Sequence, residues 1–313
     1  MSDPTRYFFS VITPTLNRAD TLARTYASLC EQTFHDFEWI VMDDGSTDHT
    51  AQTVAQWQAQ ASFPIRYEWQ TNQHKKVAIN RGVALASGQW TIILDSDDTL
   101  QPHSLAAMAA VCQSIPSDQL PRFAAVTGLC VRPDGVVVGD TFPADPLDVS
   151  VLDLTFRYAV RGEKFGCTRT DVLRAFPYPQ DMSGYVPESI VWRAIAKAGY
   201  LSRCVNQVFR VYYPTPGALT SQAATSVANL PGLCLLARDT LVTGWPWFRY
   251  QPVEFLKAAA RYTRFRLWMK HAGLPVTPSL RLQGAVPYVL VTLALPVGVG
   301  LYMRDRWHSV KAR

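Results

Sequence analysis

The chain has 313 residues, of which 48% are hydrophobic and 18% are charged, so a mainly disordered protein is excluded. The length suits one large domain or a domain with an appendage. Six scattered cysteines without a CxxC pair argue against a disulfide framework or a structural zinc site and favour the cytoplasm. The opening MSDPTRYFFSVITPTL lacks a basic n-region and a long apolar core, so a buried strand is expected there rather than a signal peptide.

The net charge of +5 is unevenly distributed along the chain. From Arg249 to Arg313 there are 11 Lys and Arg residues against two acids, whereas the part before Arg249 has 19 against 23. Anionic lipid or nucleic acid would explain such a basic region equally well. An apolar segment in the same region favours lipid, so we predict a membrane surface and no nucleic acid as partner.

Short apolar runs alternate with helical patterns over the first hundred residues. Asp20 is expected to cap the first helix, and Ser87-Gly88 to end the third. Strands are predicted at 8–14, 37–42, 65–69 and 90–94, the first and the last of them buried. This βαβ repetition predicts a parallel sheet that binds its ligand at the carboxyl ends of the strands.

Acidic residues follow two of these strands. Asp43-Asp44 come after the second strand, and Asp95-Ser96-Asp97-Asp98 come after the fourth. Adjacent carboxylates repel each other unless a cation, a donor-rich ligand or solvent compensates them. One such pair can be turn chemistry alone, but two pairs at neighbouring strand ends indicate a ligand site.

The pattern becomes mixed beyond Gln101. Helices are predicted near 102–112 and 188–198, strands at 123–131 and 204–213, and a hairpin turn at Asp134-Gly135. We therefore expect a parallel sheet that gains antiparallel strands.

The amino-terminal half contains, in order, VITPTLNR, WIVMDDGSTDHT and HKKVAINRGVALASGQWTIILDSDDTL. These segments resemble the donor-binding half of family 2 glycosyltransferases, which are inverting enzymes of the GT-A fold that use nucleotide sugars. The later RGEKFGCTRTDVL, YVPESIVWRAI and RVYYPTPGALT are similar to the acceptor half of a bacterial branch that builds surface polysaccharides.

The resemblance implies an α/β fold of the GT-A type, a Rossmann-like mixed sheet flanked by helices. A catalytic domain is expected at 1–214, with the donor half at about 8–100 and the acceptor half at about 101–214. A helical, basic, membrane-associating extension is expected at 215–313.

Asp95-Ser96-Asp97 is the DxD motif by this resemblance. Residues two apart in an extended segment face the same way, so Asp95 and Asp97 can point into one site. The family implies that Asp97 binds Mg²⁺ or Mn²⁺ and that Asp95 reaches the same site, on the ribose or sugar side. An EF-hand calcium loop is rejected because it requires Gly at Leu100 and Glu at Ala106. A capped strand-to-helix turn is the structural alternative.

The other donor-site residues come from three segments. Asp43 and Asp44 resemble the pair that receives the nucleoside base. An imide N–H donating to a carboxylate favours a uridine donor, although thymidine offers the same edge and guanosine has its own donors. Basic residues before the third helix make a phosphate-binding corner, whereas Arg18 alone could be a solvated helix-start residue. The remaining donor residues are Pro14, Thr15, Arg18, His74, Lys75 and Lys76.

Glu188, at a predicted helix start, matches the family's catalytic base, although Ser189 stands where the usual pattern has Asp. The alternatives are a Glu188 that only complements the helix dipole, and Asp181 as the base. Acceptor-site residues are expected to include Glu163, Lys164 and Trp192, although Trp192 could equally belong to the core.

The stretch from Ala285 to Met303 is uncharged and about long enough to cross a bilayer. It could span the membrane, enter and leave on one side, lie flat on lipid, or pack on the catalytic domain. We expect the enzyme at the cytoplasmic face of the inner (plasma) membrane.

The sequence thus predicts an inverting, metal-dependent transfer from a nucleoside diphosphate sugar to a hydroxyl of a lipid-linked or polysaccharide acceptor. A sugar nucleotidyltransferase would need a glycine-rich amino-terminal loop, which VITPTLNR lacks. An inactive sugar- or nucleotide-binding module is opposed by the presence of Asp95, Asp97 and Glu188.

Overall fold

The structure, a computed structural model, describes residues 6–182, 184–214 and 226–311. The chain divides into two compact units. A sheet unit contains the described residues up to Val151 together with 160–178 and 198–214, and a helical unit contains 152–159, the described part of 179–197, and 226–311. The domain boundary expected after residue 214 falls next to undescribed residues and stays a prediction.

The described part of the sheet unit contains nine strands in one sheet. The strands are β1 (Tyr7–Thr15), β2 (Phe37–Asp43), β3 (Ile65–Trp69), β4 (Gly88–Ile93), β5 (Thr99–Leu100), β6 (Phe123–Val131), β7 (Leu147–Val149), β8 (Lys164–Arg169) and β9 (Leu201–Val211). The first four strands coincide with the four predicted apolar runs to within two residues. The agreement is close because each apolar run is bounded by segments with the periodicity of a helix.

The strand order is β3-β2-β1-β4-β8-β6-β9-β5, with β7 also paired to β9. The first four strands in this order are mutually parallel, whereas β8 pairs antiparallel with both β4 and β6. The mixed α/β sheet is therefore confirmed. Since β2, β1 and β4 are neighbours, their carboxyl ends meet at one edge, with Thr15 opposite Asp43.

Ten helices are present among the described residues. The sheet unit has α1 (Ala19–Cys30), α2 (Thr50–Gln60), α3 (Lys75–Leu85), α4 (Ser104–Gln113) and α6 (Thr170–Ala175). The helical unit has α7 (Ser189–Lys197), α8 (Leu230–Val242), α9 (Pro252–His271) and α10 (Ala285–Lys311), and α5 (Val151–Phe156) starts at the boundary. Helical turns of the 3₁₀ type lie at Leu120–Arg122, Val227–Asn229, Trp245–Tyr250 and Pro278–Leu280.

The prediction that Asp20 caps α1 is wrong. The helix begins at Ala19, one residue earlier, and Asp20 lies within its first turn. Asp48, from the loop after β2, accepts a hydrogen bond from the backbone N–H of Ala19 at 3.2 Å. A donor at the helix start is thus satisfied by a distant loop instead of by a local cap.

The core of the sheet unit forms on both faces of β1 and β2. On one face the aromatic rings of Tyr26, Trp39 and Trp57 stack, with Tyr26 and Trp57 centroids 4.5 Å apart. On the other face α3 packs closely through Gly82, where an added Cβ would lie 2.6 Å from Ile12 Cγ2. This close approach fixes the start of α3 near the carboxyl edge of the sheet.

The helical unit is built around α9, which packs against α8 and α10. Buried side chains include Phe255 and Met269 of α9 and Leu241 of α8. Arg193 is buried in this unit, where it pairs with Asp239 at 3.2 Å. Within the described residues, only the helix at Ala285–Trp307 is long and apolar enough to cross a membrane, and 22% of its most apolar stretch is buried.

Candidate active site

The loops after β1, β2 and β4 meet at the carboxyl edge of the sheet. The backbone N–H of Asp44 donates to the carbonyl of Thr15 at 2.8 Å, and that of Leu94 donates to the carbonyl of Ile12 at 2.9 Å. Pro14 and Thr15 are buried at the end of β1. The predicted donor residues of these three loops therefore lie at one edge.

Asp43 is fully buried, and donors of the protein engage both of its carboxylate oxygens. Oδ1 accepts from the backbone N–H groups of Gly45 and Ser46, at 3.1 and 2.7 Å. Oδ2 accepts from the Tyr67 hydroxyl at 2.6 Å, and burial together with this carboxylate raises the pKa of Tyr67. Asp43 therefore shapes the turn after β2 by closing it on its own side chain.

Asp44 is also buried, but its two hydrogen bonds converge on one oxygen. Oδ1 accepts from Gln70 Nε2 at 2.7 Å and from the backbone N–H of Gln73 at 2.8 Å. Among the described residues no protein donor is bonded to Oδ2. Asp44 thus ties the loop before α3 to the end of β2 and keeps one acceptor oxygen.

A cross-link between the loops after β1 and β2 was not anticipated from the sequence. Asn17 adopts φ 51°, and its side-chain oxygen accepts from the backbone N–H groups of Thr47 and Asp48, at 2.8 and 3.3 Å. Asp48 in turn accepts from the N–H and hydroxyl of Thr50 at the start of α2. Asn is among the few residues that tolerate left-handed backbone, which is the one local signal available.

Three carboxylates follow β4 as a compact acidic triad. One ligand oxygen each of Asp95, Asp97 and Asp98 lies within 4.8 Å of the other two. Lys75 Nζ lies 2.6 Å from Asp95 Oδ1, and Arg18 lies 3.8 Å from Asp97 Oδ2. The intervening Ser96 is buried.

The cations around Asp95 set the charge of its carboxylate. Burial by itself raises the pKa of Asp95, but Lys75, followed by Arg210 and Arg18, holds that pKa below its usual range. The Asp95 carboxylate is therefore kept ionised at the edge of the sheet, facing Lys75 at the start of α3.

Asp98 differs from its two neighbours because its side chain is only 2% exposed. It accepts from the backbone N–H of Tyr213 at 2.9 Å and pairs with Arg210 at 3.2 Å. Burial raises the pKa of Asp98 to about 7, against the attraction of Arg210. Arg210 also contacts Glu163 at 3.2 Å. Asp98 therefore anchors the late strand β9 to the loop after β4, a role that the sequence did not assign.

Of the three basic residues expected before α3, only His74 precedes the helix, and Lys75 and Lys76 are its first two residues. His74 precedes the helix with φ 73° and ψ 151°, a region that residues with a side chain rarely adopt. Its side chain is exposed, Lys75 reaches Asp95, and Lys76 is buried. Strained backbone at a helix start beside two lysines is consistent with a binding loop.

The acidic triad is suited to a divalent metal. Hard cations such as Mg²⁺ and Mn²⁺ prefer carboxylate oxygens, and the side chains of Asp95 and Asp97 remain 33% and 20% exposed. The hydroxyl oxygen of Thr15, at the end of β1, is buried without a hydrogen-bond partner. An unsatisfied polar atom at this edge is consistent with a bound ligand or water.

The two predicted acceptor residues in the sheet unit already contact other residues of the protein. Lys164 Nζ donates to the carbonyl of Arg161 at 2.8 Å, and burial lowers the pKa of Lys164. Glu163 is exposed and faces Arg210, the partner of Asp98. Their acceptor role stays a prediction, and 215–220 of the matched RVYYPTPGALT segment lies outside the described residues.

Glu188, Trp192 and Asp181 belong to the helical unit. Glu188 immediately precedes α7, and its carbonyl accepts from the backbone N–H of Val191 at 3.0 Å. Trp192 is half-buried one turn later, while Asp181 is exposed and accepts from the hydroxyl of Ser279 at 3.2 Å. The catalytic assignment of Glu188 stays a prediction.

Comparison with known proteins identifies the amino-terminal region. Residues 10–120 match the family model for glycosyl transferase family 2. An uncharacterized glycosyltransferase of Nostoc is 39% identical over 105 residues, which cover 34% of this chain and 33% of that protein. A PGL/p-HBAD biosynthesis glycosyltransferase of Mycobacterium bovis is 38% identical over 112 residues, covering 35% of this chain and 44% of that protein. The match thus spans less than half the length of these relatives.

Solved structures share the fold over most of the chain. The S. aureus TarS 1-349 structure in complex with UDP-GlcNAc has a TM-score of 0.60 at 20% identity and covers 84% of this chain and 72% of that chain. The mannosyltransferase PcManGT from Pyrobaculum calidifontis, in complex with GDP-Man and Mn²⁺, has a TM-score of 0.57 at 18% identity and covers 96% and 88%. Residues 10–120 thus match glycosyl transferase family 2, and the chain has the mixed α/β GT-A fold of these solved structures.

Proposed function

We propose that this protein is an inverting glycosyltransferase. It transfers a sugar from a nucleoside diphosphate sugar, with UDP favoured, to a hydroxyl of a lipid-linked or polysaccharide acceptor. The observation that carries the proposal is the acidic triad at the carboxyl edge of the sheet, where Asp95 faces Lys75 and Asp97 faces Arg18. Carboxylates and cations side by side suit a ligand that combines phosphates with a divalent metal.

On the donor side, Asp95 and Asp97 are the residues that would hold Mg²⁺ or Mn²⁺. When bound, the ion supplies a Lewis acid that stabilises charge on the departing diphosphate. Lys75 and Arg18 add positive charge for the phosphates once a ligand separates them from the carboxylates. Because both oxygens of Asp43 already accept hydrogen bonds, from the turn and from Tyr67, we assign the base contact to Asp44, which keeps Oδ2 as an acceptor.

On the acceptor side, Glu188 is proposed as the general base. Its carboxylate takes the proton of the acceptor hydroxyl as that oxygen bonds to the anomeric carbon, from the face opposite to the breaking bond to diphosphate. Glu163, Lys164 and Trp192 are proposed to contact the acceptor.

The donor assignment is tested by thermal unfolding with a panel of UDP-, GDP- and dTDP-sugars, each with Mn²⁺, with Mg²⁺ or with a chelator. A bound donor raises the melting temperature by mass action, so a metal-dependent rise with UDP-sugars is expected. Donor hydrolysis measured on the same samples separates an enzyme from an inactive binding module. The absence of any metal-dependent rise across the panel would contradict the proposal.

The base is tested with Glu188→Gln, which keeps the size of the side chain and removes the proton acceptor. We expect a loss of about 10²–10⁴-fold in kcat with donor affinity retained. Asp181→Asn is the matched control, since Asp181 is the alternative base from the same region. A large loss in Asp181→Asn with normal turnover in Glu188→Gln would reverse the assignment.

We also propose that the protein works at the cytoplasmic face of the inner membrane. The support is the basic region from Arg249 onwards and the long apolar helix within it. An acceptor held on a lipid would be presented at that surface. Fractionation of expressing cells tests the location, and protein that is wholly soluble at low salt would contradict it.

A further inference from the structure

The helix α10 has two different apolar faces. One is a buried stripe with helical spacing at Pro287, Leu290, Ala294 and Gly298. The other is exposed and uncharged from the helix start to Met303, and its large residues are Tyr288 (56% exposed), Val289 (56%), Leu293 (68%), Leu295 (45%), Val297 (60%) and Met303 (64%). A contiguous exposed apolar face of this length indicates an interaction surface.

The buried stripe of α10 holds the helix against α9. An added Cβ at Gly298 would lie 2.6 Å from Thr263 Cβ and 2.8 Å from the carbonyl oxygen of Ala260. Further along, Asp305 pairs with Arg264 at 2.5 Å and accepts from Trp268 Nε1 at 3.3 Å. The two helices therefore lie side by side over several turns.

The composition of α9 opposes a membrane-spanning position for the pair. Five cationic residues are distributed along this helix, at Lys257, Arg261, Arg264, Arg266 and Lys270. If α10 crossed the bilayer with α9 beside it, these charges would enter the hydrocarbon layer, where each is strongly unfavourable. If α10 crossed alone, the close Gly298 contact and the Arg264–Asp305 ion pair would be lost.

The charge around the exposed face matches an anionic lipid surface. Arg281 precedes α10, and Arg304 and Arg306 follow its uncharged stretch. Tyr288 and Trp307, 56% and 65% exposed, lie near the two ends of the exposed face, and such aromatic side chains favour the boundary between headgroups and acyl chains. An apolar face with basic and aromatic residues at both ends is typical of helices that lie on a bilayer surface, and binding of a protein partner does not require it.

We propose that α10 docks flat on the membrane, with its exposed face in the headgroup–acyl boundary of an anionic bilayer and its buried stripe still on α9. The protein is then monotopic: it lies on one leaflet and does not span. This inference rests on the membrane location proposed above and is independent of glycosyl transfer. It defines the face that enters the lipid and the charge of the lipid that it selects.

The docking face is tested by flotation of the purified full-length protein with vesicles of phosphatidylcholine, with or without phosphatidylglycerol. We expect binding to the anionic vesicles and weak binding to the neutral ones. Leu293→Glu should lower the partition coefficient about tenfold or more, because an exposed apolar anchor is replaced by a charge. Gln283→Glu is the control, with the same charge change just before the helix, and should change binding far less.

Two measurements on the same variants keep the test decisive. The melting temperature of Leu293→Glu should equal that of the parent, since the residue is 68% exposed. Sedimentation should show the same oligomeric state for both. A Leu293→Glu variant that loses a dimer, or that binds vesicles as the parent does, overturns the inference.

Flat docking is separated from spanning by labelling with a membrane-impermeant maleimide. In a Cys30→Ser background, which removes the exposed native thiol, single cysteines are placed at Gln283 and Arg306. In inside-out inner-membrane vesicles both positions should label without detergent. Protection of Arg306→Cys until detergent is added would show that the helix spans, which overturns flat docking but keeps the membrane location. Absence of the protein from the membrane fraction would contradict the location itself.

Discussion

The loops after β2 and β4 both present adjacent Asp residues at the same edge of the sheet, yet their carboxylates meet different partners. Asp43 and Asp44 are buried and accept from neutral donors: backbone N–H groups, a Tyr hydroxyl and a Gln amide. Asp95 and Asp97 are partly exposed and face Lys75 and Arg18.

This difference separates a carboxylate that builds the site from one that is available to a ligand. A carboxylate whose oxygens already accept several hydrogen bonds has little capacity for a further partner, whereas an exposed ion pair contributes little stability and can exchange its partner. Mutation of Asp43 is therefore expected to change mainly stability, and mutation of Asp97 mainly activity.

The largest expected effect is on turnover, in Asp97→Asn. If Asp97 holds the metal, sugar transfer should fall by about 10²–10³-fold, because the ligand that stabilises the leaving diphosphate is weakened. The free energy of unfolding should stay within about 0.5 kcal/mol of the parent, since the ion pair to Arg18 is long and partly exposed. Steady-state kinetics with urea unfolding of the same preparation measures both. Normal turnover with a large loss of stability would contradict this role, because Asp97 would then support the fold and not the reaction.

Asp43→Asn should act in the opposite way. The amide cannot accept at both positions, so the Gly45 and Ser46 N–H groups or the Tyr67 hydroxyl lose a charge-assisted bond in a buried site. A loss of about 1–3 kcal/mol in unfolding free energy is expected in urea titrations. Asp36→Asn, at an exposed position just before β2, is the control and should be neutral. If Asp43→Asn proves as stable as the control, the turn does not depend on this carboxylate.

Asp48, also in the loop after β2, is expected to contribute to stability in a way that depends on pH. Burial raises its pKa, but hydrogen bonds from Thr50 and Ala19 outweigh that effect and lower it overall. Because the pKa of Asp48 is lower in the folded than in the unfolded chain, Asp48 stabilises the fold at pH values above its unfolded pKa of about 3.9. This stabilisation is lost as the pH falls through the pKa of the folded state. Asp48→Asn should therefore cost about 1 kcal/mol near neutral pH, and the difference should shrink in acid.

That comparison is made by urea unfolding of parent and Asp48→Asn at several pH values. A difference that grows towards low pH would contradict the assigned direction of the pKa shift.

The smallest effect is expected at His74, one of the residues predicted to bind the donor. Its φ of 73° and ψ of 151° suit glycine, so His74→Gly should raise the unfolding free energy by up to about 1 kcal/mol. His103→Gly is the control, because His103 also precedes a helix but has φ −106°. Thermal unfolding measures both variants. Equal destabilisation in the two would mean that the backbone at His74 carries no strain.

Much of the sheet could be predicted from local periodicity. The apolar runs of β1 to β4 alternate with helical patterns, and their lengths match parallel strands, so the boundaries agree closely. The acidic residues after β2 and β4 follow from the same reasoning, because parallel strands end at one edge. The family resemblance, carried by residues 10–120, was also visible in the sequence.

Contacts between distant segments were not predictable in the same way. Asp98 and Arg210 are 112 residues apart, and their pairing depends on β9 lying beside both β5 and β6. Two other features also depend on contacts between distant segments. Strand β8 lies between β4 and β6, and Asp48 accepts from the first residue of α1. Local patterns specify which face of an element is apolar, but not which element covers it.

The sequence by itself determined the type of each strand and helix, the edge at which ligand groups gather, and the presence of an apolar helix in a basic region. Only the tertiary structure decided that Tyr67 engages the second oxygen of Asp43, that the side chain of Asp97 stays partly exposed, and that one side of α10 is covered by α9. The physical reason is that periodicity and turn chemistry act over a few residues. Burial and hydrogen-bond partners, in contrast, depend on segments that the folded chain brings together from far apart.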